Sequence, residues 1–267
     1  MTHPGTPPGS AGSVTVALLG PLLALDPHRP RVTSYTLAGG RTELSTASLA
    51  NWAAKVAGLL VDELGLPVGA RVVVRTGERW QTAPILLGAW WAGMTVTEYE
   101  DPDLDGGPEE SVAFLRAGED SGCDEVFLVS DDPLGAPATG LEAHQRDFTT
   151  AVLPQADHFV PRGLPRGDDA PAVLLAGGGS VGVREILERA GTAAERLGVG
   201  GRLLSGTPWT LPDGVAVTLL AALAADGSVI QVPAGPEVEA DWTARIATGE
   251  KAAATTGVDV AGLPRLD

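Results

Sequence analysis

The feature that most constrains the fold is an apolar strand at 172–176 that runs through a glycine-rich loop into a helix. Such an element binds phosphate, because glycines let backbone N–H groups converge on an anion at a helix N-terminus. The spacing is not that of G-x-x-x-x-G-K-[ST], and it fits G-x-G-x-x-G only at 177–182, so the match depends on its context. The residues predicted to bind a ligand are Gly177, Gly178, Gly179, Ser180, Gly182 and Arg184.

Strand-like and helix-like segments alternate along most of the chain. Apolar runs predict strands at 32–37, 71–75, 95–99, 126–130, 172–176, 202–205, 228–232 and 252–256. Helical spacing predicts helices at 14–25, from the N-cap Ser45 onward, and at 80–92, 184–197, 215–225 and 238–246. We also predict a short helix at 111–117 and a short strand near 148–153.

This alternation predicts an α/β protein with two βαβ-type parallel-sheet subdomains that carry helices on both faces. Residues 1–12, rich in Pro, Gly, Ser and Thr, are predicted to be a disordered lead. The first subdomain is predicted at 13–135 and the second at 170–267. The segment at 136–169 between them is richer in Pro, Gly and charge and is predicted to be a connection.

The net charge of −16 argues against nucleic acid or an anionic membrane as a partner, since both attract positive surfaces. It also opposes ATP binding unless a local positive pocket exists. Arg162, Arg166 and Arg184 could form such a pocket, although solvated surface arginines are the competing interpretation. We therefore expect no firmly bound cofactor and at most weak binding of ATP or AMP.

The single cysteine, Cys123, excludes an internal disulfide and a cysteine-based zinc cluster. It precedes an apolar strand, which favours a core residue over a nucleophile. No basic segment followed by an apolar one opens the chain, so a signal peptide is not expected, and the longest apolar run, 215–225, is too short to span a bilayer. These features predict a soluble cytoplasmic protein. If it is an interaction protein, we expect its partner to be another protein or a second copy of itself.

Other residues that could carry chemistry have simpler structural interpretations. Ser180, His158 and Asp157 could form a Ser-His-Asp triad, but no G-x-S-x-G elbow holds the serine, which favours solvated loop histidines. Adjacent Trp90 and Trp91 point about 100° apart on a helix, which predicts one core ring and one partly exposed ring. A charged loop or a calcium or magnesium site would account for the acidic group Glu98, Glu100, Asp101, Asp103 and Asp105.

The glycine-rich loop resembles the phosphate loop of the adenylate-forming enzymes, which include acyl-CoA synthetases, peptide-synthetase adenylation domains and luciferases. Their loop reads T-S-G-T-T-G-x-P-K-G-V, and it aligns without gaps on residues 176–186. Gly178 matches the first glycine, Ser180 the second threonine and Arg184 the lysine. Val181 replaces the second glycine. The resemblance therefore implies a phosphate loop that keeps one glycine, one hydroxyl and one cation.

The same resemblance extends from about residue 13 to residue 261, in matching order and spacing. Stretches similar to the family patterns "GRTLTYAEL", "GDRVAV", "LLAVLKAG", "GDRVLSTLP" and "LAALAAGATVV" lie at 40–49, 69–74, 86–93, 200–208 and 221–230. The resemblance implies the fold of the N-terminal part of these enzymes, in the form of a short, actinobacterial-type stand-alone homologue.

Departures from the family pattern determine the functional prediction. The later motifs "YGxTE" and "GD" have no counterpart, nor does the C-terminal domain with its catalytic lysine, since neither Lys55 nor Lys251 lies in a matching context. Thr210 and Leu211 replace both histidines of "PLHHVDG". We therefore assign no catalytic residue and no metal ligand, and expect a truncated, non-catalytic binding or interaction protein. The alternatives are a nucleotide- or acyl-adenylate-binding module, and half of a split ligase that another chain completes.

Overall fold

The computed structural model describes residues 12–99, 111–162, 167–233, 235 and 238–266, so most of the predicted lead lies outside the described part. The helices are α1 Val14–Leu25, α2 Thr46–Gly58, α3 Thr82–Trp91, α4 Phe148–Val152, α5 Val183–Leu197, α6 Asp213–Val215, α7 Ala221–Ala224 and α8 Ala240–Gly249. The strands are β1 Pro30–Tyr35, β2 Arg41–Ser45, β3 Arg71–Arg75, β4 Thr95–Thr97, β5 Ser111–Arg116, β6 Glu125–Val129, β7 Gln145–Asp147, β8 Pro171–Leu174, β9 Ser180–Gly182, β10 Arg202–Ser205, β11 Ser228–Gln231 and β12 Ala254–Thr256.

Local sequence explains where the principal helices begin. Ser45 is the N-cap of α2, as predicted, because its hydroxyl accepts a hydrogen bond from the Ser48 N–H at 3.2 Å. The helix ends in a π-helical turn, Leu59–Glu63, and a second such turn, Ala216–Leu220, joins α6 to α7. In the described part of the chain no helix is long and apolar enough to cross a membrane.

Two short elements differ from their prediction. The helix predicted at 111–117 is wrong, because this segment is strand β5 and its consecutive residues Phe114 and Leu115 are buried in core clusters on opposite faces of a sheet. A strand buried on both faces reads as a continuous apolar run, which does not distinguish it from a buried helix. The strand predicted near 148–153 is also wrong, because Asp147 caps the Thr150 N–H at 2.6 Å and begins helix α4.

The strands form two sheets. The larger has seven strands in the order β7-β6-β5-β3-β4-β8-β9, and the smaller has five in the order β12-β10-β11-β1-β2. Pairing is parallel except for the hairpins β1–β2 and β8–β9. This arrangement confirms the predicted α/β class with two mainly parallel sheets.

The sheets do not follow the order of the chain. β1 pairs with β11 in the register Val32↔Val229, so an early hairpin belongs to the sheet of the last strands. β8 pairs with β4, so the glycine-rich segment belongs to the sheet of the early strands. Each sheet thus takes strands from both predicted ranges, 13–135 and 170–267, and the division at 136–169 stays a prediction about folding units.

The largest core cluster lies between the two sheets and contains α1, α2, α3, α5 and α7. A second cluster, around Ile230 and Ile246, lies where α8 covers the far face of the five-stranded sheet. A third, around Val73, Leu115 and Leu128, covers the far face of the seven-stranded sheet without a described helix. The carboxyl ends of strands from both sheets border a common cleft.

Candidate ligand-binding site

The predicted phosphate loop is the turn of a β-hairpin. β8 pairs with β9 in the antiparallel register Leu174↔Ser180. The Leu175 N–H donates to the Gly179 carbonyl at 2.8 Å, and the Gly178 N–H donates to the Leu175 carbonyl at 3.2 Å. Gly177 has a φ of +80°, which suits glycine at the corner of such a turn. One of the predicted anion donors, the Gly178 N–H, therefore closes the turn instead.

The first N–H groups of helix α5, which follows β9, already have backbone hydrogen-bond acceptors. Gly182 is the N-cap of α5, and the first N–H groups, of Val183 and Arg184, donate to the carbonyls of Ala170 and Asp168 at 3.0 and 2.8 Å. These two carbonyls satisfy donors that would otherwise attract an anion. The strand β9 separates this helix from the glycine turn, so the sequence-based strand–loop–helix interpretation misses one strand.

Arg184 lies at the opposite end of the hairpin from the glycine turn. Its Nε lies 3.3 Å from Asp169 Oδ1, and its Nη2 lies 3.9 Å from Asp168 Oδ2. The hairpin base pairs Pro171 with Gly182, about four residues or ~13 Å from the turn at ~3.3 Å per residue. The structure thus brings Gly177, Gly178, Gly179 and Ser180 together at an exposed tip, with Gly182 and Arg184 at the base. Ligand binding by these six residues stays a prediction.

A larger cleft lies where the carboxyl ends of strands from the two sheets meet. Its cavity of about 630 Å³ is bounded by the β1–β2 hairpin and by the segments that follow β3, β5 and β6. The hairpin packs closely on the segment after β6, since a Cβ at Gly40 would lie 2.7 Å from Pro133 Cγ. The Thr42 hydroxyl also donates to the Pro133 carbonyl. Clefts at the carboxyl ends of parallel strands are where α/β proteins bind ligands.

Two arginines line this cleft. Arg116 ends β5, and its guanidinium lies against Gly77, where an added Cβ would be 3.1 Å from Cζ and closer to Nη2. Arg79 forms an ion pair with Asp131 and donates to the Thr76 carbonyl. Burial lowers the pKa of Arg79, and the positive charge of Arg116 lowers it further. In the part of the chain that the structure describes, no carboxylate pairs with Arg116.

A second cavity of about 270 Å³ adjoins the first, and Glu78 and Arg116 line both. Glu78 accepts a hydrogen bond from the Trp209 N–H at 3.3 Å. Burial raises the pKa of Glu98; a backbone hydrogen bond from Leu211 opposes this rise, and the charge of Glu78 adds to it. The two cavities therefore form one continuous cleft with both polar and apolar walls, and Arg116 lies where the cavities meet.

The remaining candidates do not form a second site. Arg162 pairs with Asp62 at 2.5 Å, Arg184 pairs with Asp168 and Asp169, and Arg166 lies outside the described residues. Asp157 pairs with Lys55, and no hydrogen bond among the described residues joins it to Ser180 or His158. Glu98 is described, whereas Glu100, Asp101, Asp103 and Asp105 lie outside the described part, in which no group of three or more potential metal ligands occurs.

The two adjacent tryptophans confirm their structural interpretation. Trp90 is buried and its indole N–H donates to the Ala172 carbonyl at 2.9 Å, which ties α3 to β8. Trp91 is partly exposed and contacts Phe159 edge to face. Cys123 packs against the cluster on the far face of the seven-stranded sheet.

Sequence reasoning missed the arginines of the cleft. Arg79 follows predicted strand β3 by four residues, so its place near the carboxyl edge of the sheet could have been predicted. Arg116 was hidden because its segment was assigned to a helix. The nearness of Arg116 to Gly77 depends on β5 lying beside β3, which no local pattern encodes.

Comparison with known proteins supports the family resemblance. No family model matches the sequence. A Mycobacterium tuberculosis protein described as "TIGR03089 family protein" is 39% identical over 245 residues, which cover 87% of this chain and 91% of that protein. A mycobacterial relative of nearly the same length therefore exists.

Several solved structures with the same fold are described as synthetases or ligases. A Brucella canis acyl-CoA synthetase matches 91% of this chain with a TM-score of 0.72 and 18% identity, over 47% of its own length. The anthranilate CoA ligase AuaEII, in complex with anthranoyl-AMP, matches 91% of this chain with a TM-score of 0.69 and 12% identity, over 49% of its length. A fatty acid AMP ligase from Legionella pneumophila matches 92% of this chain with a TM-score of 0.67 and 14% identity, over 44% of its length.

The chain thus spans about half the length of these ligases and corresponds to their N-terminal part, as the sequence resemblance implies. Identity below 20% to these structures establishes the fold alone. The mycobacterial relative, by contrast, matches across most of both chains. This protein belongs to the TIGR03089 family and has the fold of the N-terminal part of adenylate-forming ligases.

Proposed function

We propose that this protein is a non-catalytic small-molecule-binding protein built on the fold of adenylate-forming ligases. The observation that carries the proposal is the position of Arg184, whose guanidinium faces Asp168 and Asp169 at the base of the hairpin. Phosphoryl-type chemistry needs cations and aligned donors close to the developing charge on phosphorus. The cation that aligns with the family lysine instead pairs with these two aspartates at the hairpin base, about 13 Å along the strands from the glycine turn at ~3.3 Å per residue.

The composition of the turn supports the same proposal. Ser180 is its single hydroxyl, and the Gly178 N–H already closes the turn. An arginine in the place of lysine is not a neutral exchange, because a planar fork does not replace a compact point charge. The inter-sheet cleft of about 630 Å³, within the size range of small-molecule sites, gives such a protein room for a ligand.

Thermal unfolding with ATP and with AMP at millimolar concentration tests this proposal. A ligand at 100 times its Kd stabilises the native state by about 2.7 kcal/mol, enough for a shift of several degrees. We expect only a slight shift with either nucleotide. A large, saturable shift with ATP that is lost in Arg184→Ala would show that the aligned cation reaches the phosphates, and would favour the nucleotide-binding module described next.

A second candidate function is a nucleotide- or acyl-adenylate-binding module at the hairpin tip. The exposed turn favours it, since Gly177 and Gly178 leave the backbone open to a ligand. Here Gly179→Val should abolish nucleotide binding while preserving the fold, because only Leu175 side-chain atoms, at 3.6 Å or more, lie near the position of a Gly179 Cβ. Unchanged affinity in Gly179→Val would exclude the tip as the site.

The proposal also covers the cellular location of the protein and its association with other chains. We place it in the cytoplasm, where a chain with one unpaired cysteine needs no oxidising compartment. Association with a protein partner or a second copy is the other form that a binding role could take. Light scattering across a concentration series, compared with the monomer mass of 27.2 kDa, tests self-association.

A further inference from the structure

We propose that the exposed face of helix α1 binds the same face of a second copy of this chain, in an antiparallel two-fold contact centred on Gly20. The inference names a surface and a partner, and it does not depend on a ligand in the cleft or at the hairpin. It starts from the composition of α1, whose 12 residues contain no charged side chain and a single polar one, Thr15. The Thr15 hydroxyl is buried and donates to the Leu87 carbonyl.

Both sides of α1 are apolar. Its inner side belongs to the largest core cluster through the buried residues Val14, Leu18, Leu19 and Leu22. Its outer side is formed by the exposed residues Val16, Gly20, Pro21, Ala24 and Leu25. A helix that is apolar on every side is normally buried. We therefore expect the outer face of α1 to be covered in the functional form of the protein.

The sequence outside the described part is not suited to cover this face. Residues 1–11, which precede α1, contain one large apolar side chain, Met1, among Pro, Gly, Ser and Thr. Residues 100–110 contain one, Leu104, among acidic residues, Pro and Gly. The remaining positions, 163–166, 234, 236–237 and 267, add only Leu164. We therefore assign the cover of α1 to a separate chain.

Charge favours a second copy as the occupant. Two copies with a net charge of −16 repel each other, but contact through α1 places no like charges opposite each other. Antiparallel packing adds an attraction, because α1 has no acidic residue in its first turn and ends at the exposed Asp26. A two-fold axis at Gly20, near the middle of α1, places Asp26 of each copy beside the first turn of the other. The dipole of a helix favours a negative charge at that end.

The shape of the face allows a close but small contact. A Cβ at Gly20 would meet no atom within 4 Å, so the backbone at the middle of α1 is open to a second helix. A helix of this length is about 18 Å long and 10–12 Å wide, so its face alone is smaller than the ~800 Å² per partner of a standard interface. Val199, which is 92% exposed, adds apolar surface near the end of α1, because the adjacent Gly200 carbonyl accepts a hydrogen bond from Arg29 at 3.0 Å. We expect a dissociation constant in the micromolar range.

Sedimentation velocity across a concentration series from about 1 to 200 µM tests the inference. We expect the mass to rise with concentration from 27.2 kDa towards twice that value. Leu25→Glu should raise the dissociation constant by about tenfold or more, because it places an unpaired charge in the contact. Leu134→Glu is the matched control, since it makes the same change at an exposed leucine in the segment after β6. It should leave the dissociation constant within about twofold of the wild-type value.

A charge pair tests the antiparallel arrangement. A two-fold axis at Gly20 sets Val16 of one copy opposite Ala24 of the other, because each lies four residues from the axis. Val16→Glu alone should weaken association, and the double variant Val16→Glu/Ala24→Arg should recover most of the loss through two ion pairs between the copies. Positions 16 and 24 lie about 12 Å apart along one helix at ~1.5 Å per residue, so the pair does not form within a copy.

The outcomes decide between a second copy and other occupants of this face. A monomer mass at every concentration, or equal effects of Leu25→Glu and Leu134→Glu, overturns the proposal. Failure of the double variant to recover association overturns the antiparallel contact. Binding of the monomer to phosphatidylcholine vesicles that Leu25→Glu abolishes would assign the face to lipid and overturn the second copy. Nucleotide binding and pyrophosphate release are measured separately, so these results leave the proposed function to its own tests.

Discussion

The Nε of Arg184 lies 3.3 Å from Oδ1 of Asp169, at the end of the hairpin that faces away from the glycine turn. The alignment with adenylate-forming enzymes places this arginine on the lysine of the phosphate loop. Its local environment is instead acidic and more than half exposed. The contact between these two residues is the main structural observation behind the proposed non-catalytic function.

Removal of this ion pair should have little effect on stability. Exposed ion pairs contribute ~0–1 kcal/mol, because water screens them and the side chains lose entropy. We expect Arg184→Ala to change the free energy of unfolding by less than about 1 kcal/mol in urea titrations. A loss above about 2 kcal/mol would indicate that Arg184 has a structural role that its exposure does not predict.

Arg31 should behave in the opposite way. It is fully buried, its Nε donates to the Thr46 hydroxyl at 2.9 Å, its Nη1 donates to the Gly227 carbonyl at 3.0 Å, and its Nη2 lies 2.8 Å from Asp226. We expect Arg31→Met to cost about 3 kcal/mol in urea unfolding, because it leaves these partners buried without their donor.

Arg29→Met is the matched control for this prediction. Arg29 also pairs with Asp226, at 3.2 Å, but is about one-third exposed. Its loss should therefore cost no more than about 1 kcal/mol. Equal effects of the two substitutions would contradict the account, because burial would then not determine the contribution of the pair.

Helix packing gives a prediction at Gly88. A Cβ at this position would lie 2.6 Å from Val56 Cβ and 2.7 Å from the Ala53 carbonyl oxygen, where α3 crosses α2. We expect Gly88→Ala to cost about 1–3 kcal/mol through overpacking. Gly191→Ala in α5, where nothing lies within 4 Å, should instead stabilise the protein by about 0.5–1 kcal/mol. Thermal unfolding of both variants should show shifts of opposite sign.

Glu250 gives the protein a pH-dependent contact. Its carboxylate accepts hydrogen bonds from the Tyr35 hydroxyl at 2.6 Å, Arg41 Nε at 2.7 Å and Arg202 Nη2 at 2.8 Å. Burial alone would raise the pKa of Glu250, but the hydrogen bonds from Arg41 and Tyr35 and the nearby positive charges outweigh it, so the pKa lies below its usual value.

Because the folded pKa is depressed, the stabilisation is present above the ordinary pKa of about 4.5 and is lost as the pH falls through the lower folded value. The difference in unfolding free energy between wild type and Glu250→Gln should therefore shrink between pH 7 and pH 3. Glu188→Gln, an exposed change of the same charge on α5, corrects for the general effect of one lost carboxylate. A difference that grows toward acid pH would contradict the assigned contacts.

Periodic segments made much of the fold predictable. The apolar centre Val72–Val74 correctly indicates a strand buried on both faces, and the Ser45 cap correctly indicates the start of α2. Two short segments, at 111–117 and near 148–153, were assigned wrongly, because short buried strands and helices have similar composition. The exchange of hairpins between the sheets depends on long-range pairs such as Val32 with Val229, for which the local sequence holds no signal.

The candidate site was less predictable than the fold. The glycine turn was predictable because consecutive glycines indicate a backbone turn, and Gly177 and Gly178 both have a positive φ. The contacts of Arg184 were missed because Asp168 and Asp169 precede the strand and were assigned to the connection at 136–169. The cleft with Arg116 is assembled from both sheets, so it exists only in the folded chain.

The most direct test of the central claim is pyrophosphate release by the purified protein with ATP, magnesium and a panel of fatty, aryl and amino acids. Adenylation depends on fixed positioning of the nucleotide and on charge stabilisation at phosphorus. In this protein Arg184 pairs with Asp169 at the base of the β8–β9 hairpin, at the opposite end from the glycine turn. We predict no release above background for this chain alone. Carboxylate-dependent release that disappears in Arg184→Ala would contradict the non-catalytic account, and release that requires a second protein would establish a split ligase.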